Sequence, residues 1–133
     1  MNDPVLDCSA LLALLLREPG AEKVEAVLPN ACMSSVNAAE ALAKMTEWGI
    51  TLENAQNTVS GLGIEIVNFD IEQAALSAGL RKQTRHVGLS LGDRACLALA
   101  LHRNAPTMTT DKAWLRLDGT GLPDIICIRG VSS

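Results

Sequence analysis

The segment "PVLDCSALLALLL" (4–16) joins a short β-like run to an apolar helix through a single acid, Asp7. The same alternation of an extended run with helical periodicity returns along the rest of the chain. Strands separated by helices of this length favour a parallel sheet with helices on both faces. The sequence therefore predicts a three-layer α/β/α fold with a central, mainly parallel sheet, in one domain over residues 1–133.

Local patterns predict where the elements lie. Strand-like runs occupy 4–7, 64–69, 106–110 and 124–129, and the short run "ACMSS" (31–35) leads into a helix. Helices are expected from Ser9 to Arg17, over "AEKVEAVL" (21–28), from Val36 to Trp48, near 52–59, from Asp70 towards His86, after Ser90, and briefly over 112–115. The carboxyl ends of parallel strands are where such folds bind ligands. The residues that close each strand are therefore the first candidates for a site.

Composition indicates a compact globular protein, because 48% of the residues are apolar, 20% are charged and no long polar tract occurs. The longest apolar run, Ala10 to Leu16, is far shorter than the roughly 20 residues that cross a bilayer. Asp3 and Asp7 occupy positions where a secretory signal would carry cations. We expect a cytoplasmic protein without a membrane span.

Charge and cysteine usage narrow the function further. The four cysteines are scattered, and the two histidines lack zinc-ligand spacing, so reduced thiols are expected. A net charge of -4 argues against a broad basic surface for nucleic acid. Any polyanionic partner must then be held by local cations.

Four acids stand out by position: Asp7, Glu40, Asp93 and Asp111. Three of them have a purely structural interpretation. Asp7 and Asp111 each precede a helix and can cap it, which is worth about 0.5–2 kcal/mol relative to Ala. Asp93 lies three residues after Ser90, the spacing of a capping box.

Glu40 also has a structural interpretation. It shares a polar helical stripe with Asn37, Lys44 and Glu47, so it can be solvated and paired with Lys44 at i, i+4. Taken jointly, however, two of the four acids lie at strand ends and two near helix starts. A parallel α/β sheet brings such positions to one edge.

Four segments resemble, in order and spacing, the motifs of PIN-domain ribonucleases, and most closely those of VapC-type toxins from bacterial toxin–antitoxin pairs. They are "VLDCSALLALLLREPG" (5–20), "SSVNAAEALAK" (34–44), "LSLGDRACLALA" (89–100) and "TMTTDKAW" (107–114). The similarity covers almost the full chain. It implies a PIN-like fold and a metal-dependent endoribonuclease that leaves a 5′-phosphate.

The resemblance also implies roles for individual residues. Asp7, Glu40, Asp93 and Asp111 would form a catalytic acidic pocket that binds Mg²⁺ or Mn²⁺. Ser9 and Thr110 would be hydroxyl residues lining it, and Asn37 matches a polar position one helical turn before the glutamate. Hard divalent cations suit carboxylate oxygens and keep waters that become nucleophiles. Without a cation, two carboxylates about 4 Å apart repel by about 4 kcal/mol at an effective dielectric of about 20.

Cations near the acids are candidates for contacts with substrate phosphates. Arg94 and Lys112 each directly follow a motif acid and are the stronger candidates. A second cationic stretch, "LRKQTRH" (80–86), comes late in a predicted helix, where the helix dipole favours cations regardless of function.

The resemblance further implies a homodimer that is neutralised by a small antitoxin protein seated on the early helices. The main alternative is a PIN-fold interaction module without turnover. A phosphatase of the haloacid-dehalogenase type is disfavoured, because it needs a second Asp two positions after Asp7, where this chain has Ser9. A receiver-type phosphoacceptor domain is disfavoured because a suitably placed Lys is lacking.

Overall fold

The computed structural model describes residues 3–117, 119 and 121–129. Its strands are β1 (Val5–Leu6), β2 (Cys32–Ser34), β3 (Glu65–Val67), β4 (Thr107–Thr109) and β5 (Ile125–Cys127). They form one sheet in the order β3-β2-β1-β4-β5, and every neighbouring pair is parallel. Val5 lies opposite both Cys32 and Thr107, which places β1 at the centre of the sheet. The predicted parallel sheet is confirmed.

The α-helices of the described chain are α1 (Cys8–Leu15), α2 (Ala21–Val27), α3 (Ser35–Glu47), α4 (Leu52–Gly61), α5 (Ile71–Gly79), α6 (Arg81–Thr84) and α7 (Leu91–Arg103). Short 3₁₀ turns cover Leu28–Asn30, Arg85–Val87 and Lys112–Arg116. Most ends differ from the sequence-based ones by one or two residues, because terminal turns fray. Among the described residues, none of these helices has the length and apolar character needed to cross a membrane.

The prediction of one long helix from Asp70 towards His86 is wrong. The segment is divided at Leu80 into α5 and the four-residue α6, and it then tightens into the turn at Arg85–Val87. Gly79 ends α5 and costs about 1 kcal/mol relative to Ala inside a helix. Gly88, with φ of 75°, ends the turn in the left-handed region.

Alternation along the strands builds a separate core on each face of the sheet. Leu6 and Met33 point to the core shared with α1 to α4. Val5 and Cys32 point to the opposite core, which contains α7 and the fully buried Trp114. Apolar side chains are thus buried on both sides of the sheet. The three-layer arrangement is confirmed.

The strand order reverses between β1 and β4. β1 is followed along the chain by β2 and then β3 on one side, whereas β4 and β5 add to the other side. Helices that leave neighbouring strands at such a point diverge to opposite faces, so a crevice opens beyond the carboxyl ends of the strands. Asp7 directly follows β1 at this crevice, and Asp111 lies two residues beyond β4.

Candidate active site

A cleft of about 480 Å³ lies at the carboxyl edge of β1 and β4. All four acids singled out in the sequence line it: Asp7, Glu40, Asp93 and Asp111. Ser9 and Asn37 line it as well. The acids come from four separate segments of the chain, and the topology of the sheet gathers them.

Asp7 is the innermost acid, with only 4% of its surface exposed. It caps α1 by accepting a 2.8 Å hydrogen bond from the backbone N–H of Ala10. The Ser9 hydroxyl lies 2.7 and 2.9 Å from its two carboxylate oxygens. Burial raises the pKa of Asp7 from 3.8 to about 6, although its hydrogen bonds oppose the shift and the charge of Asp93 adds to it. A buried acid of this kind favours a cationic neighbour.

The hydroxyl contact expected of Thr110 is made by Thr109. Thr109 Oγ1 donates to Asp7 Oδ2 at 2.6 Å and accepts from the backbone N–H of Asp111 at 3.1 Å. Thr110 contributes its backbone N–H instead, which donates to Ser9 Oγ at 3.0 Å. Thr109 is the last residue of β4 and is fully buried. Two threonines in succession point to opposite sides of a strand, and the register of β4 against β1 decides which one reaches Asp7.

Glu40 is held by the contact between α3 and α7. Asn37 is buried, and its side-chain amide donates to Glu40 Oε1 at 2.9 Å and to the backbone carbonyl of Gly92 at 3.0 Å. Gly92 permits this arrangement, because a Cβ at that position would lie 2.6 Å from the carboxyl carbon of Glu40. The sequence motif contained Gly92, but its packing role was missed.

The suggested pairing of Glu40 with Lys44 is wrong. Lys44 Nζ instead lies 3.6 Å from Glu47 Oε2, one helical turn further along, and both side chains line the cleft. Lys44 and Glu47 were absent from the sequence-based site. Their i, i+3 spacing on the stripe of Glu40 was the available signal.

The structural interpretations of Asp93 and Asp111 are also confirmed. Asp93 and Ser90 form a capping box, with Asp93 Oδ2 accepting from the Ser90 backbone N–H at 3.0 Å. Asp111 Oδ1 accepts from the Ala113 backbone N–H at 2.9 Å. Capping and a place in the cleft are therefore compatible. The caps fix the orientation of these two carboxylates.

The donor set fits a hard divalent cation. One oxygen each of Glu40, Asp93 and Asp111 accepts a hydrogen bond from the protein, whereas the other accepts none from any described residue. Burial, followed by the charges of Glu40 and Asp7, raises the pKa of the neighbouring Cys8 thiol to about 12, so this soft ligand stays protonated. The available ligands are thus carboxylate oxygens, which Mg²⁺ and Mn²⁺ prefer.

Within the described part of the chain, no three Asp, Glu, His or Cys side chains are close enough together to form a ready-made metal cluster. Mg²⁺ commonly binds through one or two carboxylates and retains several waters. A cleft of this volume with acids at its rim suits an ion that keeps its waters. It suits less well an ion that is enclosed entirely by protein ligands.

Neither of the two candidate phosphate contacts is among the residues that line the cleft. Arg94 donates from Nη1 to the backbone carbonyl of Ser77 at 3.2 Å and lines a separate cavity. Lys112 is exposed and opens the 3₁₀ turn directly after Asp111. Along the chain, each cation directly follows an acid of the cleft: Arg94 follows Asp93, and Lys112 follows Asp111.

Several solved structures of known proteins are similar to this chain in fold. A chain of a toxin–antitoxin complex from Klebsiella pneumoniae is 21% identical, with a TM-score of 0.73 and coverage of 94% of this chain and 97% of that one. A chain of DNA-bound VapBC from Salmonella typhimurium is 18% identical, with a TM-score of 0.73 and coverage of 96% and 99%. A chain of VapBC-5 from Mycobacterium tuberculosis is 23% identical, with a TM-score of 0.67 and coverage of 93% of this chain and 97% of that one.

These likenesses establish the fold and agree with the resemblance seen in the sequence motifs. Comparison with curated protein sequences gives no match. The family model of the PIN domain matches residues 5–120, a span that contains the whole cleft. The chain therefore belongs to the PIN domain family.

Proposed function

We propose that this protein is an endoribonuclease that depends on Mg²⁺ or Mn²⁺ and hydrolyses RNA phosphodiester bonds. The observation that carries the proposal is the meeting of Asp7, Glu40, Asp93 and Asp111 in one cleft at the switch between β1 and β4. These are proposed as both the catalytic and the metal-binding residues. Membership of the PIN domain family supports a nuclease.

The chain supplies a preorganised set of carboxylates. Asp7 is locked by Ser9, Thr109 and the N-terminus of α1, so its two oxygens hold a fixed direction. Asn37 holds Glu40, and the caps of α7 and the last 3₁₀ turn hold Asp93 and Asp111. A divalent ion bound here would lower the pKa of a water and neutralise charge on the phosphate. The other oxygens of Glu40, Asp93 and Asp111 accept no hydrogen bond from a described residue, so they would be available to hold the ion or to accept a proton.

We also propose that the protein is the toxin of a toxin–antitoxin pair and acts in the cytoplasm. The solved structures of similar fold include toxin–antitoxin complexes, which supports an antitoxin partner. Leu16, Trp48 and Leu52 are 52%, 42% and 54% exposed on the layer of helices α1 to α4. Exposed apolar side chains favour protein contacts where they form a contiguous patch. We propose the antitoxin at this layer, and a homodimer of the toxin itself.

Cleavage of RNA by the purified protein tests the proposal. Wild type with Mn²⁺ should cut RNA, stop with EDTA, and lose activity when Asp7 or Asp93 is changed to Asn. Asp124→Asn is the matched control, because Asp124 is an exposed acid outside the cleft. A cleavage rate insensitive to EDTA and to both cleft variants would remove the mechanism.

The alternative, a PIN-fold interaction module without turnover, is separated by the same assay. It predicts no cleavage of any RNA class by wild type, with antitoxin binding retained. Sequencing the RNA ends that accumulate on expression identifies the substrate if cleavage occurs. Transfer, ribosomal and messenger RNA are the classes to compare.

A further inference from the structure

Three arginines surround a cavity of about 300 Å³ beside the acidic cleft. Arg81, Arg85 and Arg94 line it together with Ser90, Leu91 and the backbone around Gly88. No acid is among the described residues that line it. Arg103 and Arg129, in contrast, form close ion pairs with Glu65 and Glu18. Within the residues that the structure describes, none of the three cavity arginines has an ion-pair partner.

Local structure does not explain why Arg94 lies beside the cations of the 80–86 segment. The division of the predicted long helix puts Arg81 at the first residue of α6 and leaves α6 only four residues long. Arg94 lies in the N-terminal part of α7. The N-terminal end of a helix dipole favours anions, so the dipole of α7 does not account for a cation at Arg94. Three uncompensated guanidinium groups in a protein of net charge -4 indicate a site for an anionic ligand.

The arginine cavity and the acidic cleft share the first turn of α7. Ser90 lines the cavity and Asp93 lines the cleft, and the two are joined by reciprocal hydrogen bonds of 3.0 and 3.2 Å. Asp93 and Arg94 are consecutive residues and point to different sides of the helix, one into each depression. A ligand that extends out of the cleft over this turn therefore meets the arginines next.

We propose that Arg81, Arg85 and Arg94 form a phosphate-binding subsite for the backbone of single-stranded RNA that extends from the cleft. This inference rests on the proposed function. Guanidinium groups match phosphate oxygens through paired N–H donors. The described residues that line the cavity include no aromatic side chain, so they offer no stacking platform for bases. The subsite therefore contacts phosphates and binds independently of base sequence.

The test compares two double variants of equal charge change. Arg81→Gln/Arg85→Gln removes two exposed arginines of the subsite, and Arg17→Gln/Lys23→Gln removes two exposed cations near α2, on the opposite face of the sheet. Binding of a labelled single-stranded RNA oligonucleotide is measured against salt in an Asp93→Asn background with Mg²⁺, and a gel verifies that the RNA stays intact. Cleavage kinetics are measured with Mn²⁺ in the otherwise wild-type chain.

The subsite variant should bind RNA more weakly, and the slope of log affinity against log salt should be shallower by about 1.4, or about 0.7 for each lost phosphate contact. Its KM should rise while kcat is retained, because uniform binding is lost. The control pair should leave the slope and KM unchanged. If the subsite variant loses RNA binding but wild type cleaves no RNA, the proposed nuclease is contradicted and the subsite is supported. RNA cleavage by wild type with identical slopes and KM in both double variants would overturn the subsite and keep the nuclease.

Discussion

Thr109 Oγ1 donates a 2.6 Å hydrogen bond to Asp7 Oδ2, although the two residues are 102 positions apart in the chain. The contact crosses from the end of β4 to the end of β1, where the order of the sheet reverses. It fixes one oxygen of the buried acid, while Ser9 and the N-terminus of α1 fix the other. The orientation of the central carboxylate thus depends on the pairing of two strands.

Thr109→Val should weaken the binding of Mn²⁺. The change removes the hydroxyl with little change of shape, and a hydrogen bond to a charged group is worth about 1.5–3 kcal/mol. Loss of this bond also raises the pKa of Asp7 further, since the bond opposes the effect of burial. The Mn²⁺-induced rise in melting temperature should therefore be smaller than in wild type.

Thr107→Val is the matched control. Thr107 is equally buried and on the same strand, but its hydroxyl bonds to the Asp124 carbonyl away from the cleft. The control should keep the full Mn²⁺-induced rise. Equal Mn²⁺ responses in the two variants would contradict a special role of Thr109.

Asp7→Asn should stabilise the metal-free protein at neutral pH. The pKa of Asp7 is 3.8 ordinarily and about 6 when folded, so the folded state binds the proton more tightly. The protonated Asp7 side chain therefore contributes stability that is fully present below pH 3.8, and this contribution is lost as the pH rises through about 6. The cost of ionising the buried acid is about 3 kcal/mol at most.

Urea unfolding in EDTA at about pH 4 and about pH 7 measures this effect. Asp7→Asn should exceed wild type in unfolding free energy at the higher pH and approach it at the lower one. Asp111→Asn, which changes an exposed acid of the same cleft, should lack this pH-dependent gain. A gain for Asp7→Asn that is the same at both pH values would show that ionisation of Asp7 is not its cause.

Gly92→Ala should impair the cleft without unfolding the protein. A Cβ there would lie 2.6 Å from the carboxyl carbon of Glu40, so the glutamate must move. Alanine is at the same time the better helix former, by about 1 kcal/mol. We expect a loss of RNA cleavage of at least about tenfold, which corresponds to about 1.4 kcal/mol in the transition state.

Gly61→Ala provides the comparison, because Gly61 ends α4 with nothing within 4 Å of its would-be Cβ. It should retain the wild-type cleavage rate. Melting temperatures of both variants separate loss of fold from displacement of Glu40. Full activity in a folded Gly92→Ala protein would count against the role of Glu40.

Gly20→Ala should destabilise the docking of β5. Gly20 has φ of +94°, and a Cβ would lie 2.5 Å from the carbonyl oxygen of Ile128, just beyond β5. The positive φ alone makes alanine less stable than glycine at this position by about 1 kcal/mol or more. Gly63→Ala measures this backbone cost by itself, because Gly63 has φ of +77° and no atom lies within 4 Å of its would-be Cβ. Chemical denaturation should show a larger loss of unfolding free energy for Gly20→Ala than for Gly63→Ala. Equal losses would mean that the contact with Ile128 is unimportant.

The sequence by itself determined the local features of this protein. The caps formed by Asp7, Asp93 and Asp111 could be predicted, because a cap depends on residues within three positions along the chain. The same applies to the alternation of strands and helices, and hence to the layered parallel sheet. The motifs also contained all four acids of the cleft.

Only the tertiary structure decided which neighbours those residues have. The register of β4 against β1 selected Thr109 rather than Thr110, and the close approach of α7 to α3 gave Gly92 its role beside Glu40. The break at Leu80 divides the predicted helix, and Arg81 and Arg85 beyond the break line a cavity together with Arg94. Periodicity assigns a residue to a face, but strand order and helix packing depend on contacts between distant segments, which no local pattern records.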